Sequence, residues 1–228
     1  MKHIFAITAV LTTMTLASFA SAAPARPGAY LAVFIGGGAP VSQDATTTDF
    51  FFNQTFNDRV RFDPGISAGG SGGYDFGFVR LEGELSYKHA EMESVTDRDF
   101  GDTYGSMRGS LGAFTVMANT FIDLHNPSPV TPYFGGGVGF ATLHLSDTSG
   151  ILRGGTGSRE TLYDADDDAV FAYQAGAGLE IAFNRRLSLD LGYRYFATSR
   201  ARFDGNSDRE TSMKFESHNG TVGLRFKF

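Results

Sequence analysis

The chain has 228 residues, with 19 Lys and Arg against 25 Asp and Glu and a net charge of −6 at neutral pH. That mild acidity argues against nucleic-acid binding, which requires a basic face, and a chain without cysteine has no disulfide framework to hold it. Its slightly negative mean hydropathy does not exclude a membrane barrel, whose alternating strands keep the average low, and 29 Gly, 22 Phe and 9 Tyr suit one.

The first residues read as an export signal. Lys2 and His3 form a basic head, Ile4 to Ala17 is an apolar run shorter than the ~20 residues of a spanning helix, and Ala20-Ser21-Ala22 is a small-x-small cleavage pattern. Cleavage after Ala22 removes residues 1–22, takes Lys2 with it and leaves a single domain, 23–228, with a net charge of −7.

From there the pattern is that of strands. Ala29 to Gly37 is a first strand with two apolar faces, so its orientation stays open. A long polar stretch, about 39–61, carries Phe50-Phe51-Phe52, which reads as an adhesive patch or as a cluster packed on its own loop, with packing favoured. A Gly-rich second strand near 62–76 turns tightly at Asp75–Gly77 into a third. There Val79, Leu81, Leu85 and Tyr87 alternate with Arg80, Glu82, Glu84, Ser86 and Lys88, the period of a β-strand. A charged loop, 90–104, follows.

In the fourth strand Arg108, Ser110 and Gly112 put even positions on the polar face while Asn119 and Asp123 put odd ones there. That phase slip predicts a β-bulge or an irregular strand near Ala113. After the turn His125 to Pro132 comes a fifth strand, about 133–145, then a Gly/Asp-rich loop, 146–168. The sixth strand sets Phe171, Tyr173, Leu179, Ile181 and Phe183 against Gln174, Gly176, Gly178 and Glu180, and turns at Asn184-Arg185. The seventh sets Leu187, Leu189, Leu191, Tyr193 and Tyr195 against Ser188, Asp190, Gly192 and Arg194. A polar loop, about 200–213, leads to the last strand, Thr221 to Phe228, where Val222, Leu224, Phe226 and Phe228 alternate with Thr221, Gly223, Arg225 and Lys227.

Eight strands joined by alternately long and short connections predict an all-β, eight-stranded antiparallel up-and-down transmembrane β-barrel with four long external loops and short periplasmic turns. The soluble rival is a lipocalin-like barrel with the apolar parity turned inward. Against it stand the glycines on the polar parity and the charge-free apolar parity of strands three, six and seven; a lipid-facing Arg or Lys would cost about 2–4 kcal/mol at mid-bilayer. Tyr87, Tyr173, Tyr193 and Tyr195 also sit toward the loop ends, where an interfacial girdle belongs.

Several stretches in order resemble one family. They are Gly73-Tyr74-Asp75-Phe76 running into Arg80-Leu81-Glu82, Met117-Ala118-Asn119, Thr131-Pro132-Tyr133-Phe134 followed by Gly135 to Gly139, Gly176-Ala177-Gly178-Leu179, Leu189 to Tyr195, and the terminal Phe228. The chain resembles the opacity/OmpA-type outer-membrane β-barrel proteins, also called porin-family proteins or surface antigens. The resemblance implies a bacterial outer-membrane location in contact with the lipid bilayer and lipopolysaccharide. It also implies that Gly223, Phe226 and Phe228 form a C-terminal signal read by the outer-membrane assembly machinery, with the aromatic face toward lipid. The external loops are then where a host or other surface ligand binds. The peptidoglycan-binding domain of larger OmpA-type members has no counterpart in this sequence.

The inward parity collects Arg80, Glu82, Glu84, Glu180, Asp190, Arg194 and Arg225. Eight strands enclose a space that side chains just fill, and charges shielded from water there must pair. The expectation is an ion-pair plug, with Glu82 and Glu84 of the third strand facing Arg194 and Arg225 across the axis and Arg80 and Asp190 completing it. The rival reading of the same charges is a small-solute porin. A third reading is enzymatic. His144 and Ser146, two apart on one strand face, resemble the His-x-Ser pair of outer-membrane lipid A deacylases, in which His activates Ser against an ester, here with Asp147 or Glu160 to orient it. Asp164-Ala165-Asp166-Asp167-Asp168 suggests calcium, but the positions an EF-hand gives to Gly and Glu hold Ala169 and Ala175. No cofactor or metal site is expected, and the favoured reading is a structural or surface-interacting protein without catalysis.

Overall fold

The computed structural model describes residues 27–155, 157–204 and 209–228; the expected signal segment 1–22 and its cleavage point lie outside them. Among these residues the regular structure is all strand. The elements are β1 (Gly28–Pro40), β2 (Gln43–Asp49), β3 (Gln54–Phe62), β4 (Gly65–Asp75), β5 (Val79–Asp97), β6 (Thr103–Arg108), β7 (Ser110–Asp123) and β8 (Val130–Leu145). They continue with β9 (Thr148–Leu152), β10 (Arg159–Tyr163), β11 (Asp166–Ala182), β12 (Leu187–Thr198), β13 (Ala201–Asp204), β14 (Arg209–Met213) and β15 (Glu216–Lys227).

Eight of them close a ring of antiparallel pairs: β1, β4, β5, β7, β8, β11, β12, β15 and back to β1. This is an up-and-down barrel. Its stagger can be followed through the register. Tyr30 pairs with Gly73, then Glu82, Asn119, Gly137, Gln174, Phe196 and Ser217, which pairs with Pro40, ten residues beyond the start. A stagger of ten over eight strands tilts each strand by about 40° and sets a backbone radius of about 8 Å, so that each residue climbs about 2.5 Å along the axis. Such a cylinder has room for side chains and little else.

The register also settles the first strand. Tyr30 is buried with Ala32 and Phe34 on its parity, while Leu31, Val33 and Ile35 are exposed on the outer face. On the last strand Val222, Leu224, Phe226 and Phe228 point outward and Arg225 and Lys227 are buried inward.

Two expectations are corrected. No bulge interrupts the fourth barrel strand: β7 runs in unbroken register with β5 and with β8, and Leu111, Ala113, Thr115, Met117, Asn119, Phe121 and Asp123 all face in. The slip in the sequence pattern arises because the upper half of the inner face is apolar, and because outward Gly112 is covered by the Tyr87 hydroxyl, which lies 2.8 Å from where a Cβ would sit. The long segments 39–61, 90–104, 146–168 and 200–213 are not loops in the main. They form β2, β3, the end of β5, β6, β9, β10, β13 and β14, paired in the order β13-β14-β2-β3-β5-β6-β9-β10. The barrel wall thus continues outward as a second sheet, and the register shifts fall there, at Arg61/Phe62, Gly105/Arg108 and Thr161/Tyr163.

The two storeys are packed oppositely. In the lower one polar side chains face in and Leu, Val, Phe and Tyr face out. In the upper one the hydrophobic cluster of Val60, Phe62, Met92, Val95, Leu111, Leu143, Leu145, Phe203, Met213 and Phe215 lies inside, and Asp44, Arg59, Glu91, Glu93 and Arg202 face water. The inversion is what opposite surroundings require: an apolar medium outside the lower storey and water outside the upper. A fully paired ring resists detergent, because no barrel edge is left to fray. Unheated protein is therefore expected to migrate apart from boiled protein on a denaturing gel; equal mobility of a folded sample would contradict a closed barrel.

Candidate functional site: the lumen and the mouth

The lumen is filled in layers. At the end away from the second storey Lys227 reaches Asp75 at 2.9 Å and Glu180 at 3.3 Å, and Arg225 holds Glu180 and, at 2.6 Å, Asp190. Ser188 donates to Glu180 and Tyr133 to Asp190. The β11 wall must stay thin for this, since a Cβ on Gly178 would lie 2.4 Å from the Tyr133 hydroxyl. Arg80 binds Asp123 in a fork at 3.1 and 3.2 Å, approaches Glu82 at 3.6 Å, and sits 4.7 Å from the Phe121 ring and 4.8 Å from the Tyr133 ring. Planar stacking and bidentate pairing together are what a guanidinium does and an ammonium does not.

The next layer crosses the axis. Arg194 of β12 pairs with Glu84 of β5 and lies 3.8 Å from Glu82. Gln174 and Asn119 both donate to Glu84, Gln174 also donates to the Asn119 side chain, and the Tyr30 hydroxyl donates to Glu82. Above it Lys88 donates to Ser86 and lies 4.3 Å from the Phe196 ring. There the hydrophobic interior begins: Phe196 packs on Phe215 with centroids 6.2 Å apart, and Phe215 on Phe62.

Arg80, Glu82, Glu84, Glu180, Asp190, Arg194 and Arg225 therefore all face the lumen, in two groups. Arg194 meets Glu82 and Glu84 across the axis. Arg225 does not; it binds Glu180 and Asp190 on its own half of the wall. Among the described residues of the lower storey the inward charges are six carboxylates and five cations, a near balance rather than the one-signed field of an ion-selective pore.

His144 and Ser146 are not joined by a hydrogen bond among the described residues. His144 points outward and its Nδ1 lies 2.6 Å from Asp167, rather than from Asp147 or Glu160. The Ser146 hydroxyl instead accepts the Ser110 N–H at 2.8 Å and the Ser110 hydroxyl at 3.3 Å. The acidic run serves the backbone of a neighbouring segment. Asp168 accepts the N–H of Arg202 and Asp166 that of Asp204, at 2.8 and 2.7 Å, so two carboxylates stand in for an adjacent strand along β13. No metal-binding group of three His, Asp or Glu occurs among the described residues. At the mouth Tyr163 donates to Asp58 across the second storey at 2.8 Å. Burial, then Asp58 itself, raises the Tyr163 phenol well above its ordinary range.

The family description "Outer membrane protein beta-barrel domain" matches residues 6–228. The chain belongs to the outer-membrane β-barrel family. Among curated proteins, outer membrane protein PagN of Salmonella typhimurium is 27% identical over 250 aligned residues, covering all of both chains. An uncharacterised protein of Brucella abortus is 26% identical over 210, covering 77% of this chain and 73% of its own length. Among solved structures, the outer membrane protein OprG from Pseudomonas aeruginosa superposes with a TM-score of 0.58 at 13% identity, covering 91% of this chain and 98% of that one. As a member of this family the chain is an integral protein of the bacterial outer membrane, and the lower storey is its span.

Within this outer-membrane barrel the sequence pattern did not reveal Asp75, Asp123, Tyr30 and Tyr133 as partners, nor the hydrophobic interior of the second storey. Asp75 and Asp123 could have been found as charges on the inward parity at strand ends. That interior was visible as continued alternation beyond Lys88, in Ala90 and Met92, and in Ala141, Leu143 and Leu145.

Proposed function

We propose that this outer-membrane protein is a closed, non-catalytic barrel that carries a rigid surface structure rather than a passage for solutes. The observation behind this is the stacking along the axis: the Arg194–Glu84 pair sits two residues below Phe196 on the inward face of β12, so an ion-pair layer and an apolar layer close the same bore in succession. A solute would have to break both. The ionic groups specify how the wall packs, and the apolar layer keeps water from following them.

On this reading the leader 1–22 is removed after Ala22, and Gly223, Phe226 and Phe228 present the terminal strand to the assembly machinery, with lipopolysaccharide and lipid around the outer face. In planar bilayers the purified protein is expected to give no steady conductance at moderate salt. Large, long-lived single-channel currents from the wild-type protein would overturn the closed barrel and promote the small-solute porin.

A further inference from the structure

Among the described residues, two turns of the upper storey carry exposed phenylalanines. Phe50, Phe51 and Phe52 form the β2–β3 turn and are 60, 75 and 65% exposed, and Phe100 on the β5–β6 turn is 75% exposed. Phe51 and Phe52 meet edge to face with centroids 4.9 Å apart, but all three rings stay largely exposed, because the turn is held in a fixed shape. One oxygen of Asp49 accepts the N–H groups of Phe51 and Phe52, at 3.1 and 3.0 Å, while the other holds Arg209 at 3.0 Å. The Phe52 N–H, with Arg209 and the Phe51 N–H, keeps the Asp49 carboxyl below its usual range. Asn53 completes the turn in the left-handed region at φ 51°. The second tip is tied to the first hairpin: the Arg98 N–H donates to the Asn57 carbonyl at 2.8 Å, and the Asn57 N–H to Asp99 at 3.0 Å. Three phenylalanines thus crown the first turn, and the fourth stands on a turn tied to the flank of that hairpin.

Their height matters. Asp49 lies nine residues past Pro40, which at about 2.5 Å per residue puts the tip roughly 20 Å beyond the top of the barrel. These rings are out of reach of the protein's own bilayer. Exposed aromatic clusters of this kind mark an interaction site. The shape is convex, three adjacent rings on a hairpin turn and a fourth beside them, which suits entry into a fluid apolar phase.

Charge narrows the choice. Residues 41–64, 90–110, 146–168 and 199–216 carry 19 acidic against 10 basic side chains, a net −9 that exceeds the charge of the whole chain. Such a surface repels polyanions and anionic lipid. It tolerates phosphatidylcholine, whose outermost group is a trimethylammonium cation.

We propose that the Phe50–Phe52 and Phe100 tips dock the protein on an apposed zwitterionic lipid surface, inserting their rings between phosphatidylcholine headgroups. This rests on the reading that the upper storey faces out from the cell.

The test uses the full barrel in nanodiscs and pure lipid vesicles. Wild-type nanodiscs are expected to co-sediment with phosphatidylcholine vesicles more than with phosphatidylglycerol vesicles. A variant combining Phe50→Ser, Phe51→Ser, Phe52→Ser and Phe100→Ser, with unchanged heat-shifted mobility as its folding control, is expected to lose about ten-fold in affinity. No vesicle binding by the wild type, equal binding by the variant, or a preference for phosphatidylglycerol would overturn the proposal. Adhesion to cells that vanishes when their surface proteins are shaved, with vesicles left unbound, would assign the tips to a protein partner instead. Protease cutting at the β2–β3 turn on intact cells separates the two readings: tips shielded from protease would overturn the outward orientation itself, whereas cleaved tips with no vesicle binding would overturn the lipid proposal alone.

Discussion

Replacing Arg194 with alanine is expected to lower the free energy of unfolding by about 3–5 kcal/mol, the cost of leaving a buried partner charge alone. Two carboxylates, Glu84 and Glu82, would lose their cation in a space without bulk water. Gln174 and Asn119 can still donate to Glu84, but neutral donors do not cancel its charge. The guanidinium also lies 5.2 Å from the Phe34 ring, so packing is lost with the charge. Adding Glu84→Gln to Arg194→Ala should recover a good part of the loss, because the orphaned charge then goes too. With no tryptophan in the chain, the readout is the heat-shifted gel band of unheated samples across a urea series in lipid vesicles. A midpoint for Arg194→Ala equal to wild type, or a double variant worse than either single one, would show that the pair does not hold the wall.

Phe196→Ala is expected to cost about 3–5 kcal/mol as well, for a different reason: it opens a cavity in a packed interior. Phe196 is fully buried between Phe215 and Lys88, and the closed ring around it cannot collapse to fill the space. The contrast is Phe51→Ala, on an exposed turn, expected to stay within about 0.5 kcal/mol of wild type. If the two variants unfold at the same urea concentration, the upper storey is not packed as a hydrophobic interior. Phe196→Ala also removes the first apolar ring above Lys88, so its conductance beside that of wild type reads the seal directly.

The lower storey was legible in the sequence because one face of every strand meets lipid. Lipid forbids charge, so alternation in β5, β11, β12 and β15 is strict and reveals both the strand and its outward side. The lumen charges followed as the complement of that face. Which charge meets which did not follow, since pairing depends on stagger: Arg225 and Arg194 share a parity, yet only Arg194 stands where it can cross to Glu84. The upper storey was harder to read. With water outside and Val60, Met92 or Phe203 inside, its strands carry polar residues on the face that lower down is apolar. Short strands such as Ala201–Asp204, with two inward positions each, give a weak period. Thr46-Thr47-Thr48 is the clearest strand signal there, being β-branched throughout, yet the polar stretch around it reads as loop.

Because the surface segments are strands, freedom to change sequence is divided residue by residue rather than loop by loop. Along β2 and β3 the side chains of Asp44 and Arg59 stand in water, while their neighbours Gln43, Ala45 and Val60 are packed inside. An antibody approaching the wall of the upper storey meets every second side chain. Changes in that exposed set leave the packed set undisturbed, so tolerated substitutions along β2 and β3 are expected at alternate positions, like the teeth of a comb.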